Sequence, residues 1–355
     1  MIQLFIAASL AFIFTIFATP LAMRFLRDRN IGQFIQDDVQ GHMHKLGTPT
    51  MGGVVIILGA ALGYFAAHFR LFSFGSGFEV TFHPFAAEGL LALFAFVGMG
   101  LIGFVDDYWK HAAKHNQGLS KRWKFLGQLA VAAVFATVVQ SIGTSTELSF
   151  VQPLGIDLGP VLYFLLVLFM LTAAANAVNL TDGLDGLVAG SSALVFGAYV
   201  LIAFWQFRNM DFYAVDPNGA LDLARFAAAL IGAALGFLWW NAAPAQIFMG
   251  DTGSQAFGGA LAALALLTNT QLLLIILGGL YVIETLSVIA QVFSFRVFGK
   301  RIFLMAPIHH HFELKGWPET TVIIRLWIFA GILAALGVGV FYADFVAKTG
   351  IGVAP

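Results

Sequence analysis

The sequence predicts an all-α polytopic membrane protein with ten transmembrane helices and both termini periplasmic. Three observations carry that prediction. Of the 355 residues, 59% are hydrophobic and only 10% are charged, with a mean hydropathy of +0.87, far from a soluble domain of ordinary composition. The apolar residues gather in runs of about 20, the length a helix needs to cross the hydrocarbon core. Fourteen of the 18 Lys and Arg residues fall in alternate connections, the asymmetry that membrane insertion imposes on short loops.

The runs, in order, are Ile2 to Phe25, Met51 to Phe69, Glu88 to Val105, Trp123 to Ile142 and Pro160 to Ala177, followed by Leu187 to Phe207, Leu223 to Trp240, Ser254 to Leu267, Gln271 to Phe298 and Val322 to Val346. The first is longer than a signal-peptide core and has neither a basic leader nor a small-residue cleavage site; it is expected to be a retained span. The eighth is short. The ninth is long and contains Gly278-Gly279 and Glu284, so it is expected to be broken or strongly tilted. Between the fourth and fifth, Glu147 to Gly159 alternates apolar and polar residues around Pro153-Leu-Gly155, the pattern of a small periplasmic hairpin. No repeat or linker divides the chain, so 1–355 reads as a single integral-membrane domain.

The basic side holds Arg24, Arg27, Arg29, Lys45, Lys110, Lys114, Lys121, Arg122, Lys124, Arg296, Lys300, Arg301, Lys315 and Arg325. The other side holds only Arg70, Arg208, Arg225 and Lys348. The basic side is therefore expected to be cytoplasmic. Net charge is −1 and no long basic stripe exists, which argues against nucleic-acid binding. Cysteine is absent, so disulfides and Cys-ligated zinc are excluded and any metal must be held by oxygen or imidazole.

Carboxylates at span edges on the cytoplasmic side form the candidate site, because charge at that depth is costly unless it pairs, faces water or binds a metal. Asp106 and Asp107 close the third span, with Lys110 about one helical turn away. Asn176, Asn179, Asp182 and Asp185 recur at three-residue intervals, so a helical continuation aligns them on one side. Thr181 or Asp182 is alternatively a cap of the next helix. Asp251, in Gly250-Asp-Thr-Gly-Ser254, opens the eighth span, where amides and the positive helix end meet anions and the carboxylate is placed to ligate a metal. Phe248 is placed either to stack on a base or to face lipid.

His309, His310 and His311 are consecutive in a basic loop. Neighbours on a helix diverge, so they cannot share one centre. A two-His metal site and imidazoles that contact phosphate or fix a carboxylate both remain open. Lys45 and Thr50 lie beside Gly52-Gly53 at a span entrance, a composition suited to diphosphate, although Lys45 also satisfies the charge bias. Five or more carboxylates with cations and glycine-rich backbone are what Mg²⁺-assisted phosphoryl transfer requires.

These motifs, from Thr48-Pro-Thr-Met-Gly-Gly53 to Pro307-Ile-His-His-His-Phe-Glu-Leu-Lys-Gly-Trp317, closely resemble the phospho-N-acetylmuramoyl-pentapeptide transferase (MraY) family. That family lies within the polyprenyl-phosphate N-acetylhexosamine-1-phosphate transferase superfamily. The paired aspartates and Asn179-Leu-Thr-Asp-Gly-Leu-Asp-Gly186 mark the superfamily, and the triple-His loop marks the branch. The resemblance implies Mg²⁺-dependent transfer of phospho-MurNAc-pentapeptide from UDP-MurNAc-pentapeptide to undecaprenyl phosphate, giving lipid I and UMP, in the bacterial inner membrane by a homodimer. It implies Asp251 as metal ligand and Asp106 and Asp107 as the catalytic pair, with His309 also catalytic. Asn179, Asp182, Phe248 and Gln291 would recognise the nucleoside, and Lys45, Thr50, Asn176, Asp185 and His309 to His311 would surround the diphosphate or sugar. One-step attack by the lipid phosphate and a two-step route through an aspartyl intermediate both remain open. The rival readings are a UDP-GlcNAc:polyprenyl-phosphate transferase, which should lack the His309 to Trp317 segment, and an ion-coupled transporter, which should carry its carboxylates near the bilayer midplane.

Overall fold

A computed structural model describes residues 1–29, 31–32, 47–73, 77–113, 118–213 and 215–350; Lys45 lies outside them. The chain runs α1 (Ile2–Asp28), α2 (Gly53–Ala66), β1 (Phe69–Ser73), β2 (Gly77–Phe82), α3 (Ala87–Ala113), α4 (Lys121–Ser141), β3 (Glu147–Ser149) and β4 (Pro153–Asp157). It continues α5 (Gly159–Thr181), α6 (Leu187–Arg208), α7 (Pro217–Asn241), α8 (Gly250–Leu267), α9 (Leu274–Leu277), α10 (Gly279–Phe298), α11 (Ile308–Leu314) and α12 (Glu319–Thr349).

Among the described residues, eight helices are long and apolar enough to cross a membrane: α1, α3, α4, α5, α6, α7, α10 and α12. Large apolar side chains such as Phe17, Leu101, Phe169, Phe293 and Ile332 stand exposed on their outer faces, as lipid-facing helices require. The remaining two expected spans behave differently. Helix α2 has 14 residues, and the segment after it turns into a hairpin in which Phe69 opposes Phe82; the apolar run had read as one span to Phe69. Helix α8 carries Asp251, Thr252, Ser254 and Gln255 in its first turns, and these polar residues dilute its apolar run.

Helix α8 occupies the middle of the molecule. Every residue from Thr252 to Leu267 is buried, and α2, α3, α5, α6 and α7 all pack against it. Its run of Gly and Ala lets those helices approach closely, the usual basis of helix association in lipid. Only its N-terminal turn reaches a surface.

The hairpin expected between α4 and α5 is present as β3 and β4, with Glu147 opposite Asp157 and Ser149 opposite Pro153. The ninth expected span is broken: α9 ends at Leu277, Gly278 intervenes, and α10 restarts at Gly279.

At the bundle end opposite Asp251, a buried polar cluster ties α1, α2 and α7 together. Both oxygens of Asp222 are occupied. Oδ2 accepts from the Tyr64 hydroxyl at 2.7 Å and from Ala86 N at 3.0 Å, while Oδ1 meets His68 Nε2 and an Arg225 nitrogen at 3.1 Å. Arg225 also donates to Gln3 Oε1 at 2.6 Å. With every partner satisfied, the cluster holds its helices in register without an orphaned charge.

Candidate active site

Asp106 and Asp107 lie in the last two turns of α3, and as helix neighbours they point in different directions. Asp107 turns to the start of α8. Its Oδ1 accepts from Asp251 N at 3.1 Å, and its Oδ2 accepts from Thr252 N at 2.9 Å and from the Thr252 hydroxyl at 2.7 Å. The residue preceding α8 is Met249, which offers no side-chain cap, so a carboxylate from another helix satisfies these orphan amides. Gly103 makes the approach feasible: a methyl group there would overlap the backbone of Asp251.

Asp106 faces the α3–α4 connection. Its Oδ1 accepts from Leu119 N at 2.9 Å and its Oδ2 from Lys110 Nζ at 2.7 Å. Asp251 Oδ2 receives Lys124 Nζ at 2.6 Å and Lys110 Nζ at 3.0 Å. Its Oδ1 accepts from Asn179 Nδ2, which also donates to the Ser254 hydroxyl, both at 2.9 Å. One oxygen from each of Asp106, Asp107 and Asp251 lies within 4.8 Å of the others. Three carboxylates and two ammonium groups thus converge from α3, α4 and α8, with an amide from α5. Hard oxygen donors in this number suit a divalent cation such as Mg²⁺, and the lysines suit phosphate oxygens.

The other expected residues divide into those beside this cluster and those apart from it. Asp182 follows α5; burial, with Asp251, Asp107 and Asp185 nearby, raises its carboxyl well above the ordinary range. Asp185 Oδ2 accepts from Ala245 N at 2.8 Å, and its own N donates to Glu319 Oε1 at 3.1 Å, so it anchors the loop before α8. Thr50 and Phe248 are half-buried in adjoining segments. Phe248 N donates to Pro49 O at 2.8 Å and Gly52 N to Phe248 O at 2.9 Å, which brings the Thr50 hydroxyl beside Gly250. Asn176 sits deeper, donating to Gln128 Oε1 at 2.9 Å and to Thr172 O at 2.8 Å.

The three histidines sit on α11 and diverge. His309 Nδ1 pairs with Glu284 Oε2 at 3.0 Å, His310 Nδ1 with Glu313 Oε2 at 2.6 Å, and His311 Nδ1 accepts from Leu304 N at 3.1 Å. Gln291 spends its amide on the segment after α10: Oε1 accepts from Ile302 N and Phe303 N, both at 3.0 Å, and Nε2 donates to Phe303 O at 2.9 Å. Sequence reasoning missed Lys124 as a site residue, having counted it only toward sidedness. It also missed Thr252 and Ser254, whose hydroxyls sit in the site motif itself.

Comparison with known proteins agrees with the geometry. Residues 89–269 match Glycosyl transferase family 4, and residues 45–57 match phospho-N-acetylmuramoyl-pentapeptide-transferase signature 1. The phospho-N-acetylmuramoyl-pentapeptide-transferase of Frankia alni is 50% identical, over 96% of this chain and 97% of that protein. The protein of that name from Frankia casuarinae is 49% identical over 97% and 98%, and the one from Streptomyces griseus 47% over 98% and 99%. The site is thus set in a chain alignable with these relatives almost from end to end, and the chain belongs to the phospho-N-acetylmuramoyl-pentapeptide-transferases of Glycosyl transferase family 4.

Proposed function

We propose that this chain transfers phospho-MurNAc-pentapeptide from UDP-MurNAc-pentapeptide to undecaprenyl phosphate, producing undecaprenyl-diphospho-MurNAc-pentapeptide and UMP in the first membrane step of peptidoglycan synthesis. The observation that carries the reading is the convergence of Asp106, Asp107 and Asp251 with Lys110 and Lys124 in a chain with relatives of that name at full length.

An oxygen of the lipid phosphate attacks the sugar-linked phosphorus of the donor. A new P–O bond forms, the bridging P–O bond to UMP breaks, and its electron pair leaves on UMP. Such a reaction needs chiefly alignment and charge stabilisation. Lys110 and Lys124 meet the diphosphate oxygens. Asp106 orients the attacking phosphate and accepts its proton. Asp107 holds the start of α8, and with it Asp251, in place. When bound by Asp251 beside Asp106 and Asp107, Mg²⁺ supplies positive charge against the diphosphate. Asn179, Asp182, Phe248 and Gln291 form the nucleoside side of the site, while Lys45, Thr50, Asn176, Asp185 and His309 to His311 surround the diphosphate and sugar.

The test is UMP release by purified protein given undecaprenyl phosphate, Mg²⁺ and either UDP-MurNAc-pentapeptide or UDP-GlcNAc. Turnover of the muramoyl donor alone, abolished by EDTA and restored by Mg²⁺, is the expected result. Turnover of UDP-GlcNAc instead would assign the sister reaction.

We also propose ten spans, counting α2, α8 and the α9–α10 pair as one each, in a homodimer of the bacterial inner membrane, with periplasmic termini and a cytoplasmic site. The sequence has no cysteine, so single substitutions report sidedness cleanly. An impermeant maleimide should label Thr349→Cys in intact spheroplasts and Lys121→Cys only after permeabilisation. The reverse pattern would invert the orientation.

A further inference from the structure

Glu284 lies on α10, and its carboxylate is absent from the three-aspartate cluster. It is fully buried, as is His309. Their one mutual contact joins Glu284 Oε2 to His309 Nδ1 at 3.0 Å. The other atom of each, Glu284 Oε1 and His309 Nε2, is buried without a hydrogen-bond partner. A buried polar atom left unpaired is costly, so such a pair is a poor device for holding helices together. The Asp222 cluster shows what a structural tie looks like in this molecule: both of its oxygens are fully used.

His309 Nε2 has a definite address. It lies against Gly183, where a methyl group would overlap it. Gly183 sits in the turn between α5 and α6, between Asp182 and Asp185. The chain of contacts therefore runs from α10, through the α11 imidazole, into the loop that carries two of the candidate site carboxylates. An ionised carboxylate only accepts hydrogen bonds. Pairing with Glu284 places the ring hydrogen on Nδ1 and leaves Nε2 as an acceptor facing that loop.

We propose that Glu284 is a positioning residue for the transfer reaction, acting through His309: it fixes the tautomer and tilt of the imidazole that sets the Asp182–Asp185 loop. The inference rests on the reaction proposed above. Because Glu284 is enclosed, it does not itself meet the nucleotide donor, and its effect falls on alignment of the reacting phosphates, hence on kcat.

Glu284→Gln tests this, since it keeps shape and volume but can either donate to or accept from Nδ1 and so no longer dictates the tautomer. The expected result is a fall in kcat of roughly 10- to 100-fold, the range for removing a carboxylate that orients an imidazole. KM for UDP-MurNAc-pentapeptide and the thermal midpoint should be unchanged. In a His309→Gln background, Glu284→Gln should cause no further loss, because the carboxylate acts only through the ring. A kcat within about threefold of wild type would overturn the proposal. So would a loss that tracks a lowered thermal midpoint, or one that adds fully to His309→Gln. Wild-type turnover, measured alongside, separates the two levels: inactivity of the wild type counts against the reaction, whereas an active wild type with an indifferent Glu284→Gln counts against this inference alone.

Discussion

Asp251→Asn should lower UMP release by at least about 100-fold at saturating donor and acceptor, the scale expected when a principal electrostatic element of a site is removed. Asp251 Oδ2 takes two ammonium groups, at 2.6 and 3.0 Å, and Oδ1 takes the Asn179 amide at 2.9 Å. No other carboxylate of the cluster is shared by both lysines so closely. An amide in its place removes the charge that holds Lys110 and Lys124 together and points either an N–H group or a weaker carbonyl at them. It also removes the proposed cation ligand. The fold should survive, because the cap on α8 is supplied by Asp107. Purified variant with an intact thermal midpoint and turnover within about tenfold of wild type would remove Asp251 from the mechanism.

Asp107→Ala should damage both activity and stability, which separates it from Asp251→Asn. Its carboxylate accepts from two backbone amides and one hydroxyl at the head of α8. Removing it leaves those buried donors without an acceptor, at a cost of about 3 kcal/mol or more. The first turn of α8 carries Asp251, so loosening it should also reduce turnover by about 100-fold through lost alignment. Asp107→Asn retains one acceptor oxygen and should recover part of the stability without restoring full activity. Thermal unfolding in detergent, paired with UMP release, checks both parts. An unchanged midpoint in Asp107→Ala would refute the capping role.

Much of this was legible because lipid simplifies the code. Run length gave the helices, and Pro153 to Gly155 amid alternation gave the second hairpin. Gly278-Gly279 marked the break between α9 and α10. The first hairpin stayed hidden because Phe69 to Phe82 is rich in phenylalanine and continues the apolar run of α2. Site residues were legible where a motif concentrates them, as with Asp106-Asp107 and Gly250-Asp251. Lys124 was not, since only packing of α4 beside α3 and α8 delivers its ammonium to Asp251. The partner of Glu284 lies 25 positions away on a separate short helix, a distance at which periodicity says nothing. The hold that the Gln291 amide takes on the backbone of Ile302 and Phe303 likewise has no signal in the sequence.

Among the described residues six helices, α2, α3, α5, α6, α7 and α9, pack against α8, which bears on how the site accommodates its substrates. A helix buried from Thr252 to Leu267 cannot tilt or slide without displacing what surrounds it, so the backbone that carries Asp251, and Asp107 bonded to it, is held in place. Lys110 and Lys124 end flexible stems and remain 31% and 18% exposed. The centre therefore divides into a rigid anionic anvil and a hinged cationic clamp. The two ammonium groups can therefore re-aim toward a bound diphosphate while the carboxylates keep their spacing.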